Sequence, residues 1–303
     1  MQRYLQYRNS PFFIGPKDTD TACLLIHGFV GTPAELRELG EAMASQGIRA
    51  HGIVLPGHEG NPEGLVNVGW KQWQALTEQG LAELASYPRV FLAGLSMGGA
   101  LSLLRASRHP ERIVGTILMS TPTRISGGWQ LKLLPVARHF VKWYYPLAGI
   151  DFSDPKMQAE ALKQARLRDS EVTLDFSDSQ VIDYMKRMIR IPVSAIDELV
   201  RLTNTARRRL GLVRSPLLII QSKRDQIVSP ACAEELYRLA AAAEPKSLHW
   251  LEQSDHVITT GPEKEEVFRL ALSFISATVP DAAKIALPGD APQDGAGETF
   301  PDH

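Results

Sequence analysis

The sequence has little cysteine, no long apolar run and no surplus of either charge. Cys23 and Cys232 are the 2 cysteines in 303 residues, too few for a disulfide scaffold. Neither lies near a second cysteine or a histidine pair at zinc-finger spacing, so no structural zinc is expected. No stretch approaches the ~18 consecutive apolar residues of a membrane span. The opening Met-Gln-Arg-Tyr-Leu-Gln-Tyr-Arg lacks the apolar core of a secretory signal. A soluble protein of a reducing, cytoplasmic compartment is the expectation. The 33 Lys and Arg against 34 Asp and Glu leave a net charge of −1. Phosphate binding needs clustered cations, so nucleic acid is not expected as a partner.

What is present is ordinary globular usage, 44% hydrophobic and 22% charged, which excludes a disordered or fibrous class. The length allows one large domain or two small ones. Short apolar runs at 21–27, 48–55, 89–95, 113–119, 216–222 and 246–251 carry Val, Ile and Leu on both faces, as strands of a parallel sheet covered on both sides do. Amphipathic helical patterns at 33–46, 70–86, 96–107, 230–243 and 262–277 alternate with them, the first opened by Thr32 and Pro33 and stopped before Gly47. The alternation predicts an α/β fold with an open, doubly wound, mostly parallel sheet. Ligands then bind beyond the carboxyl ends of the strands.

One interval breaks the rhythm. Residues 123–214 show no strand pattern, only helical and irregular sequence, and are expected to form a helical cap inserted between late strands. A helix near 193–210 would return the chain to the sheet. The expected division is therefore a core of 1–122 and 215–279, a cap of 123–214, and a disordered tail of 280–303 rich in Pro, Gly, Asp and Ala.

The sharpest motif is Gly94-Leu95-Ser96-Met97-Gly98-Gly99, directly after the strand run Val90-Phe91-Leu92-Ala93. It fits Gly-x-Ser-x-Gly, in which a strained strand-to-helix turn lifts the serine hydroxyl above the sheet. A glycine-rich turn whose serine merely caps the next helix would give the same letters. The two readings differ in what else the chain must hold. A serine hydroxyl is a weak nucleophile until a base takes its proton, and the base needs an acid to fix its tautomer. In this kind of sheet the order should be Ser, then Asp or Glu, then His, after late strands. Asp225 follows the run at 216–222 and His256 follows the run at 246–251. Of the 8 histidines, His256 alone follows a late strand.

Negative charge develops on the acyl oxygen when serine attacks, so two N–H donors are also required. The backbone N–H of Met97 is one candidate. The other is Phe29, after the first long strand in Leu25-Ile26-His27-Gly28-Phe29-Val30-Gly31. His27 reads as a buried brace of that loop rather than as a base. His58 beside Glu59 reads as a turn brace rather than a metal ligand, and no metal site is expected.

These landmarks, with Leu55-Pro56-Gly57-His58, Arg224-Asp225-Gln226-Ile227-Val228 and Gln253-Ser254-Asp255-His256-Val257, run in order over most of the chain. Together they resemble the α/β-hydrolase superfamily, and within it the bacterial carboxylesterase and monoacylglycerol lipase family. The resemblance implies Ser96, Asp225 and His256 as a triad, Phe29 and Met97 as oxyanion donors, short to medium acyl esters as small-molecule substrates, and no cofactor. Two features depart from that pattern. Asp255 stands where the family usually has glycine, and 123–214 is longer than a compact esterase cap. Thioester or C–C bond hydrolysis on the same scaffold, or a silent ligand receptor, remain alternatives, because fold does not fix reaction.

The cap carries one further signal. Between Gly127 and Ile150 stand Trp129, Phe140, Trp143, Tyr144 and Tyr145, with Lys132, Arg138 and Lys142 and no acid. Trp143 and Tyr144 are the candidate walls of an acyl pocket. Apolar bulk with basic flanks also suits weak contact with an anionic lipid surface, and a cap that packs its apolar face on the core would look the same.

Overall fold

The computed structural model describes residues 9–59, 61–168 and 173–279. The expected disordered tail at 280–303 lies outside them. The strands are β1 (Phe12–Ile14), β2 (Thr21–Ile26), β3 (Arg49–Ile53), β4 (Arg89–Leu95), β5 (Ile113–Met119), β6 (Trp143–Tyr144), β7 (Ile191–Pro192), β8 (Leu217–Ser222) and β9 (Lys246–Leu251). The helices are α1 (Ala34–Ser45), α2 (Trp70–Glu83), α3 (Met97–Ala106), α4 (Leu134–Ala137), α5 (Pro155–Arg168), α6 (Ser179–Met188), α7 (Val193–Arg208), α8 (Ala231–Leu239) and α9 (Lys264–Thr278).

Seven strands form one sheet in the order β1-β3-β2-β4-β5-β8-β9. All neighbours are parallel except β1, which runs antiparallel to β3. The six apolar runs of the sequence are the six parallel strands. Every residue of β2 and β8 is buried, because helices cover both faces there. The edge strand β9 is mostly half-buried. β1 was not expected: three residues are too few to show a period.

Two apolar layers sandwich the sheet. On one face Leu36, Leu39 and Met43 of α1 pack with Val267, Phe268 and Ile275 of α9. On the other, Trp73 of α2, Leu101 of α3, Leu202 of α7 and Leu236 of α8 share a second core. Thr32 does not cap α1 as its position suggested. Its hydroxyl donates to Asn9 Oδ1 at 2.7 Å instead. No described helix is long and apolar enough to cross a membrane.

β5 and β8 are sheet neighbours, yet the chain makes its long excursion between them. The sequence showed no strand pattern in this interval, yet two short strands lie in it. Trp143–Tyr144 pairs antiparallel with Ile191–Pro192 in a separate two-stranded ladder, too short to leave a pattern in sequence. α7 brings the chain back, with Leu202 and Ala206 in the core. Side chains from both flanks of the excursion meet at Glu235 of α8. The Thr123 hydroxyl donates to its Oε2 at 2.5 Å, while Nε and Nη2 of Arg207 donate to Oε1 at 3.1 and 2.6 Å. The Arg207 hydrogen bonds hold the Glu235 carboxyl below the usual range.

The edge is sealed by Phe12, whose ring fills the space over Gly40 and Gly52. A Cβ at position 52 would lie 2.3 Å from it. Arg37 stacks its guanidinium 4.5 Å from the ring centre. Phe12→Ala empties this site and should cost about 3 kcal/mol of stability, read from urea unfolding. A loss well under 1 kcal/mol would mean that the edge strand is not fastened through this ring.

Candidate active site

Ser96 joins the central strand β4 to α3. It has φ 53° and ψ −116°, a left-handed backbone that a side-chain-bearing residue adopts only under constraint. Close packing on both sides imposes the turn. A Cβ at Gly98 would sit 1.9 Å from the Ile26 carbonyl oxygen, and one at Gly94 would sit 2.3 Å from the Gly98 backbone. Only glycine fits either place, so the two flanking glycines of the motif are steric requirements. The helix-capping alternative for Ser96 does not hold, since its side chain makes no cap hydrogen bond.

The hydroxyl is directed elsewhere. Ser96 Oγ lies 2.9 Å from His256 Nε2, and His256 Nδ1 lies 2.8 Å from Asp225 Oδ2. A carboxylate can only accept, so Nδ1 carries the ring proton and Nε2 is left to accept from the serine. Sequence positions 96, 225 and 256 are thus brought together by β4, β8 and β9 ending at one sheet edge.

Asp225 is buried, 5% exposed. Oδ1 accepts from the N–H groups of Ile227 and Val228 at 2.9 Å each, and Oδ2 accepts from Gln221 Nε2 at 2.9 Å as well as from His256. Burial pushes the carboxyl up, but the bonds from His256, Val228 and Gln221 outweigh it and leave the carboxyl below its usual range. Sequence reasoning missed Gln221. The available signal was a lone amide at the end of the apolar strand Leu-Leu-Ile-Ile-Gln-Ser. Asp255, adjacent to His256 in sequence, is exposed, and the His256 Nδ1 proton goes to Asp225.

The loop expected to supply an oxyanion donor reaches the serine. A Cβ built on Gly28 would lie 3.5 Å from Ser96 Cβ, and Phe29 is the next residue. Met97 opens α3, where N–H groups have no intrahelical partner. The Phe29 ring meets His58 and Trp73 edge-on, at 6.1 and 6.0 Å. His27 braces the loop as expected: Nδ1–H donates to the Gly28 carbonyl at 2.8 Å and Nε2 accepts from the Leu55 N–H at 3.1 Å. His58 donates from Nδ1 to the Pro56 carbonyl at 3.1 Å.

Trp143 and Tyr144 lie in β6. The Trp143 ring is flanked by Lys142 Nζ at 5.0 Å and the Arg190 guanidinium at 4.3 Å, and both cations pair with Glu63. Tyr144 is 52% exposed. Arg138 pairs with Asp197 and Glu198 of α7. The stretch that carries cations and no acid therefore borrows acids from distant sequence, which a count within the stretch cannot register.

The family model described as "Serine aminopeptidase, S33" matches residues 17–263. The chain belongs to that family. The chain is similar to a carboxylesterase of Bacillus subtilis (strain 168), 27% identical over 261 residues, 86% of this chain and 94% of the relative. A thermostable monoacylglycerol lipase of Bacillus sp. (strain H-257) is 26% identical over 261 residues, 84% and 89% of the two chains. Among solved structures, one reported for the metagenome-derived lipolytic enzymes LipS and LipT has TM-score 0.71 at 27% identity, covering 89% of this chain and 98% of that one. The monoacylglycerol lipase of Paleococcus ferrophilus shares the fold, with TM-score 0.68 at 17% identity over 88% and 98% of the chains. The sheet order and these matches together make this an α/β-hydrolase fold.

The two loop histidines give the family fold a measurable acid response. Burial, aided by the nearby His58 and partly offset by the Gly28 bond, pushes His27 from 6.5 down to about 3. Burial likewise pushes His58 from 6.5 down to about 4. Below pH 6.5 the unfolded chain binds protons that the native state refuses, so stability falls as pH drops. Each histidine contributes a slope of about 1.4 kcal/mol per pH unit, ending near pH 4 for His58 and near pH 3 for His27. His58→Asn keeps an N–H for the Pro56 carbonyl and removes one titration. Urea unfolding at several pH values between 7 and 4 should give the variant a shallower slope, and parallel slopes would refute the assignment.

Proposed function

We propose that the protein hydrolyses carboxylic esters of short to medium acyl chains through an acyl-enzyme on Ser96. The observation that carries this reading is the unbroken relay from Asp225 Oδ2 through His256 to Ser96 Oγ, with contacts of 2.8 and 2.9 Å. His256 Nε2 takes the hydroxyl proton as Oγ attacks the ester carbonyl, and Asp225 stabilises the imidazolium that forms. The N–H groups of Phe29 and Met97 receive the negative charge developing on the carbonyl oxygen. His256 then gives its proton to the departing alcohol. Water activated by the same nitrogen releases the acid and restores Ser96.

Both relatives named above are ester hydrolases, which supports esters over amides despite the family's aminopeptidase description. A substrate ammonium would also need a carboxylate to receive it. Glu63, Asp197 and Glu198, beside the excursion, are engaged by Lys142, Arg190, Arg138 and Arg201. Residues 123–214 act in this reading as a cap, with Trp143 and Tyr144 on the acyl-chain path. Trp129, Val136 and Phe140 are 67%, 61% and 84% exposed. Two of the stretch's three cations, Arg138 and Lys142, are paired within the protein, so contact of the cap with a lipid surface would be mainly apolar.

A fluorophosphonate probe should label Ser96, and Ser96→Ala should lose both label and turnover, leaving only the ~10³–10⁴-fold residual over water that binding and oxyanion donors provide in proteases. Matched ester, thioester and amide substrates should be turned over in that order of preference. Faster thioester cleavage would transfer the reading to the thioesterase alternative, and an unlabelled Ser96 would favour a receptor. The double change Trp143→Ala with Tyr144→Ala should slow longer acyl esters more than acetates, whereas equal slowing removes these two from the acyl path. Sedimentation with neutral phosphatidylcholine vesicles should survive high salt. Binding only to anionic vesicles at low salt would contradict the apolar contact.

A further inference from the structure

The loop that presents His256 is held by groups outside the relay. Glu263, the residue preceding α9, turns its carboxylate back along the chain. Oε1 accepts from the Glu252 N–H at 3.0 Å, and Oε2 accepts from the N–H groups of Gln253 and Ser254 at 2.9 and 2.8 Å. The Ser254 hydroxyl donates to the same Oε2 at 2.8 Å. Three consecutive backbone donors and a hydroxyl thus converge on one side chain, in the segment between the end of β9 and the base.

Ser254 is gripped from its other side as well. The Ser222 hydroxyl, at the end of β8, donates to the Ser254 carbonyl and accepts from the Arg224 N–H at 3.0 Å. That single oxygen joins the loop carrying Asp225 to the loop carrying His256. Ser254 is fully buried, and the bond it receives from Ser222 is shielded from water. Two residues further on, His256 must hold Nδ1 at 2.8 Å from one partner and Nε2 at 2.9 Å from another. An error in the loop of a fraction of an ångström lengthens one contact at the expense of the other.

We infer that Glu263 and Ser222 are positioning residues for the base: they clamp Ser254 and so fix the distance and direction of His256 relative to Asp225 and Ser96. Neither touches the reacting atoms. The inference rests on the hydrolase reading above. Its chemical basis is that Glu263 uses both carboxylate oxygens as acceptors, which a carboxamide of the same shape cannot do. In Glu263→Gln one oxygen becomes an NH₂ group that faces backbone N–H donors. Glu263 keeps its charge through ordinary acidity. Burial pushes its carboxyl up, but the bonds from Glu252, Gln253 and Ser254 win and hold it down to about 2.

The test compares wild type, Glu263→Gln and Ser222→Ala on a chromogenic short-chain ester, with the His256 Nδ1 proton followed by NMR as a far-downfield signal. Each variant should lose about 10- to 100-fold in kcat, the scale of a small misplacement, with KM within about twofold of wild type. The downfield signal should weaken or move in both. If Glu263→Gln does not fold, Ser222→Ala, which leaves the carboxylate intact, carries the test alone. A folded variant with kcat within threefold of wild type and an unchanged proton signal overturns the clamp. So does a loss confined to KM. Fluorophosphonate labelling of the wild type separates the two readings: an unlabelled Ser96 sinks the hydrolase reading, while labelled Ser96 with unaffected variants sinks only the clamp. The proton signal reports on the clamp in either case.

Discussion

A buried carboxylate kept in its charged form is the condition on which this site depends. Asp225 sits under loops at the sheet edge, where removal from water favours the neutral acid. A protonated Asp225 could donate to His256 and would reverse the tautomer, leaving Nε2 unable to take a proton from Ser96. What prevents this is local and numerous: two backbone N–H groups on Oδ1, and the amide of Gln221 with the imidazole on Oδ2. The backbone pair comes from the tight turn after β8, so the turn that carries the acid also supplies half of its solvation. Gln221 supplies a donor from inside the strand, where an apolar side chain would otherwise be expected.

The sheet makes the three loops meet. β4 lies between β2 and β5, and β8 and β9 continue on the β5 side, so the ends that carry Phe29, Ser96, Asp225 and His256 line one edge in spatial order. Parallel pairing makes this possible, since every strand but β1 then delivers its carboxyl end to the same side. The backbone of Ser96 is strained, and the strain is maintained by rigid neighbours. Its N–H donates to the Met119 carbonyl of β5 at 2.8 Å, while Gly98 packs against the Ile26 carbonyl of β2. Ser96 is held by the two strands that flank its own.

Much of this was legible in the sequence because parallel strands buried on both faces are written as uninterrupted apolar runs. Once six such runs are located, the residues after them are few, and Ser96, Asp225 and His256 follow from the order the chemistry requires. Elements shorter than one period left no such trace: β1 and the β6–β7 ladder were invisible. The partners of charged and polar side chains were invisible for a different reason. Glu263 lies within ten residues of the loop it binds, but nothing in its letters distinguishes it from Glu265 or Glu266 in the first turn of the helix that follows. Lys142 and Arg190 meet at Glu63, some eighty and one hundred and thirty positions away. Such pairings are decided by the folded chain, after periodicity has done its part.

The junction at Glu235 has a consequence for how this architecture tolerates change. Thr123, just after β5, and Arg207, near the end of α7, place their side chains on opposite oxygens of one carboxylate, so the two flanks of the excursion are tied to the same helix. Between fixed anchors a longer loop costs little more to close than a shorter one, since that cost grows only with the logarithm of the residue count. Material can be added or removed between the roots without pulling on β5 or β8, and hence without disturbing the turns that hold Ser96 and Asp225. The excursion is tied down at α8, and its shape is free to vary while the contacts among Ser96, His256 and Asp225 stay in place.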